Sequence, residues 1–166
     1  MVQLLAFLTA VTTGAKQPPL TTFSCIRSGE HFATIARRGS RVTPPMIIWR
    51  SDLGLWTAWE RCRVVSQRLS AAVAAQGGSF RNLFLTYGSV NAQPVICYVN
   101  SPAGACNSQN LLFTLRPSDR GREETILAQL VSFGVRGSGS AVEQNAPQFY
   151  APLGEAVETQ LSQAGR

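Results

Sequence analysis

Four cysteines constrain this chain more than any other feature. Cys25, Cys62, Cys97 and Cys106 form an even set, and none of them makes a CxxC pair. With a single histidine, His31, they cannot complete a Cys/His zinc site of usual spacing. An even set without metal spacing reads as two disulfides, with four buried free thiols as the alternative. Bridges need an oxidising compartment, and the start of the chain agrees. Leu4 to Val11 (LLAFLTAV) is an apolar run of signal-peptide length, and Thr13-Gly14-Ala15 supplies small residues for cleavage. It is too short to span a membrane. No Lys or Arg precedes it, which leaves a buried N-terminal strand or helix as the competing reading. Export is the expectation, with residues 1–15 as the leader.

Which cysteines pair follows from the elements around them. Residues 21–28 and 31–38 alternate polar and apolar about Ser28-Gly29-Glu30, the pattern of a β-hairpin. After a loop at 39–44, Pro45 to Arg50 reads as a short buried strand. Thr57-Ala58-Trp59-Glu60 is a capping box, in which the threonine hydroxyl and the glutamate each satisfy a free helix N–H. The helix it opens should run to about Gln76 and stop at Gly77-Gly78. Cys62, Val65, Leu69 and Val73 fall on one stripe of it and Arg61 and Arg68 on another, so Cys62 faces the sheet.

Residues 80–90 and 94–99 form a second hairpin through Asn91-Ala92-Gln93, and Leu111 to Leu115 a further strand. A second helix is expected from Ser118, with Glu123 and Glu124 in its early turns and Ile126, Leu127, Leu130 and Phe133 on its apolar face. Gly137-Ser138-Gly139-Ser140 is linker-like. Residues 141–166 read as a loosely structured tail, able to form a weak helix with Leu153, Val157 and Leu161 on one side. The order predicts an α+β domain over residues 16–140. Its largely antiparallel sheet has about six strands, two helices pack on one face, and disulfides brace it. In that layout Cys25 bridges to Cys62, and Cys97 to Cys106. Closing loops on the order of 36 and 8 residues stabilises by about 3–4 and 2–3 kcal/mol in the chain-entropy model.

Charge is low in amount and uneven in place. Charged residues are 14% of the chain, yet fourteen of the fifteen cations are arginine and the net charge is +6. Residues 27–68 hold eight arginines against Glu30, Asp52 and Glu60, a local balance of +5, whereas residues 117–166 are mildly acidic. A basic half suits an anionic partner; an ordinary solvated surface is the plainer explanation. Trp49, Trp56 and Trp59 bracket the start of the first helix. Such a cluster is core packing, or, where a tryptophan stays exposed beside Arg50 and Arg61, a protein-interaction or membrane-interface site.

The residues of a familiar enzyme are missing. His31 stands alone, with no GxSxG or Ser-x-x-Lys motif. Asp52 and Asp119 sit singly at turn or cap positions, without a paired carboxylate or calcium loop. No cofactor motif and no nucleic-acid motif is present. The expectation is a protein that is not an enzyme, needs no cofactor and does not bind nucleic acid.

Several blocks carry a family likeness. Phe23-Ser24-Cys25, Ala36-Arg37-Arg38-Gly39, Thr43-Pro44-Pro45 and Arg61-Cys62 with Val65-Ser66-Gln67-Arg68-Leu69 occur in order. Val90-Asn91, Gln93-Pro94-Val95-Ile96-Cys97-Tyr98 and Asn110 to Pro117 (NLLFTLRP) follow. Together they resemble the circadian oscillating protein family of cyanobacteria. The resemblance implies a cyanobacterial protein in the periplasm or thylakoid lumen, or held peripherally at a membrane, and offers no catalytic residues. The family's hairpin turn resembles Asn-Gly; here Ala92 follows Asn91, and because alanine resists positive φ a tight type I′ turn is not expected.

The functional expectation is docking to a membrane-associated complex or an anionic membrane surface. Arg37, Arg38 and Arg41 can converge on one solvated sheet edge, with Arg61, Arg68 and Trp56 as further candidates. The alternatives are a small-ligand-binding module with a pocket between sheet and helices, and a hydrolase with His31 in a cleft beside a serine and an acid. No oligomeric state follows from the sequence.

Overall fold

A computed structural model describes residues 19–132 and 148–165. The leader at residues 1–15, Phe133 and the Gly137–Ser140 stretch lie outside the described residues. Strands β1 (Thr21–Ser28) and β2 (His31–Arg38) pair antiparallel along their whole length, from Thr21 opposite Arg38 to Ser28 opposite His31. Gly29, at φ 61°, closes the turn between them. The other edge of β2 is shared by two short strands. β3 (Arg41–Val42) pairs with Arg37 and Arg38, and β4 (Ile47–Trp49) with Phe32 to Thr34.

Helix α1 (Ala58–Ala75) begins at the capping box read from the sequence, and Gly77 and Gly78, both at positive φ, follow its end. It buries Cys62, Val65, Ser66, Leu69, Ala72 and Val73. Strands β5 (Phe84–Val90), β6 (Gln93–Val99) and β7 (Leu111–Thr114) form a second antiparallel sheet. The architecture is therefore α+β with antiparallel sheets, but the described strands make two sheets of four and three rather than one of about six. The reason is that α1 packs against β1, β2 and β4 of the first sheet and also against β7 of the second. Its apolar stripe meets both, and one core joins Phe23, Trp49, Leu69, Leu85, Ile96 and Phe113.

Three local expectations are corrected. Asn91 and Ala92, at φ 51° and 60°, do form a tight two-residue turn with positive φ at both positions, and Val90 pairs with Gln93 across it. Strand pairing on both sides imposes the conformation on Ala92 despite its Cβ. The second helix starts later than Ser118: a 3-10 turn at Pro117–Asp119 and Gly121 at φ 82° break the chain before α2 (Glu123–Ser132). In the tail, the helix read with Leu153, Val157 and Leu161 on one side does form within residues 148–165, but it is bound into the fold rather than loose. Ala151 exchanges backbone hydrogen bonds of 2.8 Å with Leu85, and helix α3 (Leu153–Gln163) buries Leu153, Val157 and Leu161 in the core. Gly154 permits this, because a Cβ there would collide with the Phe80 carbonyl.

Both expected disulfides are formed. Cys25–Cys62 ties β1 to α1 with Cα atoms 5.5 Å apart, and Cys97–Cys106 ties β6 to the following loop at 5.6 Å. Buried polar groups reinforce the first staple. Thr34 accepts from Trp49 Nε1 at 3.0 Å and from the Ser66 hydroxyl at 3.2 Å, so β2, β4 and α1 are locked around one hydroxyl.

Candidate docking surface

The segment between β4 and α1 is short and heavily tied. Leu53 and Trp56 exchange backbone hydrogen bonds of 2.8 and 3.0 Å, and Gly54 turns the chain between them at φ 59°. Downstream, Thr57 N–H and its hydroxyl donate to the Glu60 carboxylate at 2.9 and 2.8 Å, while Glu60 N–H donates back to the Thr57 hydroxyl. Those bonds hold the Glu60 carboxyl below the usual carboxylate range. Upstream, Asp52 accepts from the Ala58 N–H at 2.7 Å, satisfying another free donor at the helix start. The result is a knuckle braced at both ends, through Leu53 with Trp56 and through the backbone N–H groups of Thr57 and Ala58.

Its side chains are apolar and in water. Leu55 at the tip is 99% exposed, Trp56 52% and Trp59 44%, unusual values for residues of this size. Trp59 leans on Phe32 with ring centroids 5.2 Å apart. Cations border the patch: Arg27 lies directly opposite Phe32 in the strand register, and Arg63 lies one helical turn beyond Trp59. Trp49, in contrast, is buried, so the three tryptophans divide into one core residue and two surface residues.

The arginines singled out from sequence do not act together. Arg38 is committed to the fold. Its guanidinium makes two hydrogen bonds to Glu158 at 2.9 and 2.7 Å, a third to Thr21 at 2.7 Å, and lies 5.3 Å from the centre of the Phe80 ring. Arg41, opposite Arg38 in register, reaches the Gly165 end of the chain beyond α3. Arg37 is exposed on the other face of the strand, because successive residues alternate. Of the three, Arg38 and Arg41 are cross-strand partners on one face, with Arg38 committed to Glu158 on α3, and strand alternation sends Arg37 to the other face.

Arg61 and Arg68 turn inward. Arg68 donates to the Leu112 carbonyl at 2.7 Å, joining α1 to β7. Arg61 stacks 5.0 Å above the Trp49 ring and donates to the Ser51 carbonyl at 3.2 Å. Burial and the nearby positive charge of Arg116 push the Arg61 pKa down. With Leu53 and Trp56 the two arginines line a cavity of about 140 Å³ under the knuckle.

His31 sits at the start of β2, where its Nε2 is 3.1 Å from Arg50 Nη1. As arginine can only donate, Nε2 is the acceptor there. Among the described residues no group of three or more His, Cys, Asp or Glu side chains is placed to hold a metal ion, and no helix is long and apolar enough to cross a membrane.

The likeness carried by the sequence blocks extends over most of the chain: residues 22–158 match the family described as Circadian oscillating protein COP23. The chain belongs to that family. No curated protein matches the chain, and no solved structure does. Within the family match lie both disulfides, the capping box and the knuckle. Sequence reasoning missed Leu55. The available signal was Asp52-Leu53-Gly54-Leu55-Trp56, where large apolar residues surround a glycine in a stretch too short to be a strand.

Proposed function

We propose that this chain is an exported, non-enzymatic protein of a cyanobacterial periplasm or thylakoid lumen that docks peripherally on an anionic membrane surface through its 53–59 knuckle. The observation that carries the reading is Leu55, almost wholly exposed at the tip of a turn braced on both sides, with Trp56 and Trp59 beside it. Exposing a leucine in water forgoes about 1.5–3 kcal/mol of burial, and a rigid mount means that little ordering is needed to recover it in a lipid interface. Tryptophan favours the head-group region, where its ring is apolar and its N–H stays wet. Arg27 and Arg63 border the tip, but the carboxylates of Asp52 and Glu60 in its braces offset much of the roughly 1 kcal/mol that each cation could add near an anionic leaflet, so the apolar contact carries most of the association. Weak, reversible association is the expected outcome. Two disulfides support an oxidising compartment.

Co-sedimentation with vesicles tests this. The full chain should bind vesicles of phosphatidylglycerol and phosphatidylcholine, and rising salt should weaken but not abolish binding, since the apolar part is unscreened. Leu55→Asp and Trp56→Asp should each reduce binding at least about tenfold; Leu55→Asp should leave thermal stability nearly unchanged, because Leu55 faces water, whereas the half-buried Trp56 also lines the cavity beneath it. Undiminished binding of the Leu55→Asp variant defeats the reading.

A further inference from the structure

Beyond the knuckle, a groove of about 580 Å³ runs between β4 and α2. That volume is within the roughly 300–1,000 Å³ range of small-molecule sites. Its lining is divided about equally between polar and apolar surface, and the apolar share includes Ile48 from β4 and Ile126 and Leu130 from α2. Ile48 is 45% exposed, so the wall is open to a ligand rather than filled by the core.

The polar lining is one-sided. Arg50, Arg61, Arg116 and Arg122 border the groove, and Asp119 is its one carboxylate. Asp119 is already occupied: it accepts from Arg116 Nε at 3.1 Å, Nη2 at 3.3 Å and the backbone N–H at 3.3 Å. Among the described residues Arg116 is the only one of the four in an ion pair. Arg50 spends one N–H on the imidazole of His31, and Arg61 spends one on a backbone carbonyl. Among the described residues Arg50, Arg61 and Arg122 therefore border the groove without a carboxylate in salt-bridge range, although Asp119 acts on Arg61 and Arg122 from farther off; Arg61 is half-buried over Trp49. A partly desolvated guanidinium is costly unless an anion answers it, and its planar fork is shaped for an oxyanion.

We propose that this groove binds an amphiphilic oxyanion, its charged end held by Arg50, Arg61 and Arg122 and its apolar body lying between Ile48 and the Ile126–Leu130 face of α2. The site shares Arg61 with the cavity under the knuckle but includes neither Leu55 nor Trp56, and it stands whether or not the knuckle meets a membrane. Both a free amphiphile and the anionic end of a lipid present this chemistry.

Calorimetric titration of the full chain with octyl phosphate tests the proposal, with octanol and inorganic phosphate as half-ligands. Octyl phosphate should bind saturably, and each half-ligand at least about tenfold more weakly, since hydrogen bonds to charged groups and apolar burial each contribute more than a factor of ten. Replacing the exposed pair together, Arg50→Gln with Arg122→Gln, should weaken octyl phosphate by at least about tenfold at an unchanged thermal midpoint. Leu55→Asp should leave it unaffected. Displacement of octyl phosphate by phosphatidylglycerol vesicles assigns the anion to lipid; retention in their presence assigns it to a free molecule. The proposal is overturned if octyl phosphate does not bind, if octanol binds equally well, or if the double variant binds as the parent does.

Discussion

Arg38 shows how one side chain changes the meaning of a charge cluster. Beside Arg37 and Arg41 it looks like part of a basic edge, yet it clamps α3 to the first sheet through Glu158 and Thr21. The pair is partly exposed, at 27% and 36% for the two side chains, so Arg38→Gln should cost about 1 kcal/mol rather than the larger figure for a buried pair. Urea denaturation measures that directly. The arginine's hydrogen bonds also hold the Glu158 carboxyl below the usual carboxylate range. Its stabilisation is complete above the unfolded-state pKa of about 4.3 and disappears as pH falls through the lower folded value. The parent should therefore lose stability on acidification below about pH 4, and Glu158→Gln should be less stable at neutral pH with a shallower acid loss. An equally steep loss in the variant contradicts this role. Ala92 gives a residue-level prediction of opposite sign. At φ 60° its Cβ is strained, so Ala92→Gly should raise the urea midpoint, corresponding to a gain in unfolding free energy of at most about 1 kcal/mol once glycine's unfolded-state entropy is counted. A lowered midpoint would show that the turn is not strained.

The elements divide by how local their causes are. The β1–β2 hairpin, α1 with its capping box, and both disulfide partners were legible because each depends on a turn residue, a spacing or a near neighbour. The break before α2 was partly hidden: Ser118 looks like a cap, but Asp119 turns back to Arg116 and Gly121 enters the left-handed region. The knuckle was legible only in part. The tryptophans were visible as candidates, whereas the exposure of Leu55 depends on the Leu53–Trp56 bridge and on what else does not cover it. The groove was not legible, since Arg50, Arg61, Arg116 and Arg122 come from separate segments and meet only through packing. The capping box allows an element-level test. Thr57→Ala should destabilise by about 1 kcal/mol and, by loosening the mount of Leu55 and Trp56, weaken vesicle binding. Unchanged stability in that variant means that Asp52 alone caps the helix.

The molecule as a whole is two small sheets joined by α1, with α3 returning the chain to β5 and the first sheet. Neither the separation of the sheets nor the return of α3 follows from periodicity, because both depend on contacts between residues far apart in sequence. Gly154 against the Phe80 carbonyl and Ala151 against Leu85 are such contacts. This arrangement leaves the knuckle rigidly presented, with one disulfide anchoring the helix behind it. Rigidity matters to the proposed role, since a preorganised apolar tip meets a membrane with little entropic loss. Tryptophan fluorescence with vesicles carrying brominated phosphatidylglycerol tests that role most directly, because bromine quenches only rings that reach the acyl region. The account predicts quenching and a blue shift in the parent, a large loss of quenching in Trp56→Phe, and near abolition in Leu55→Asp. Quenching equal to the parent's in Leu55→Asp, or no quenching by vesicles that demonstrably bind the chain, would contradict it.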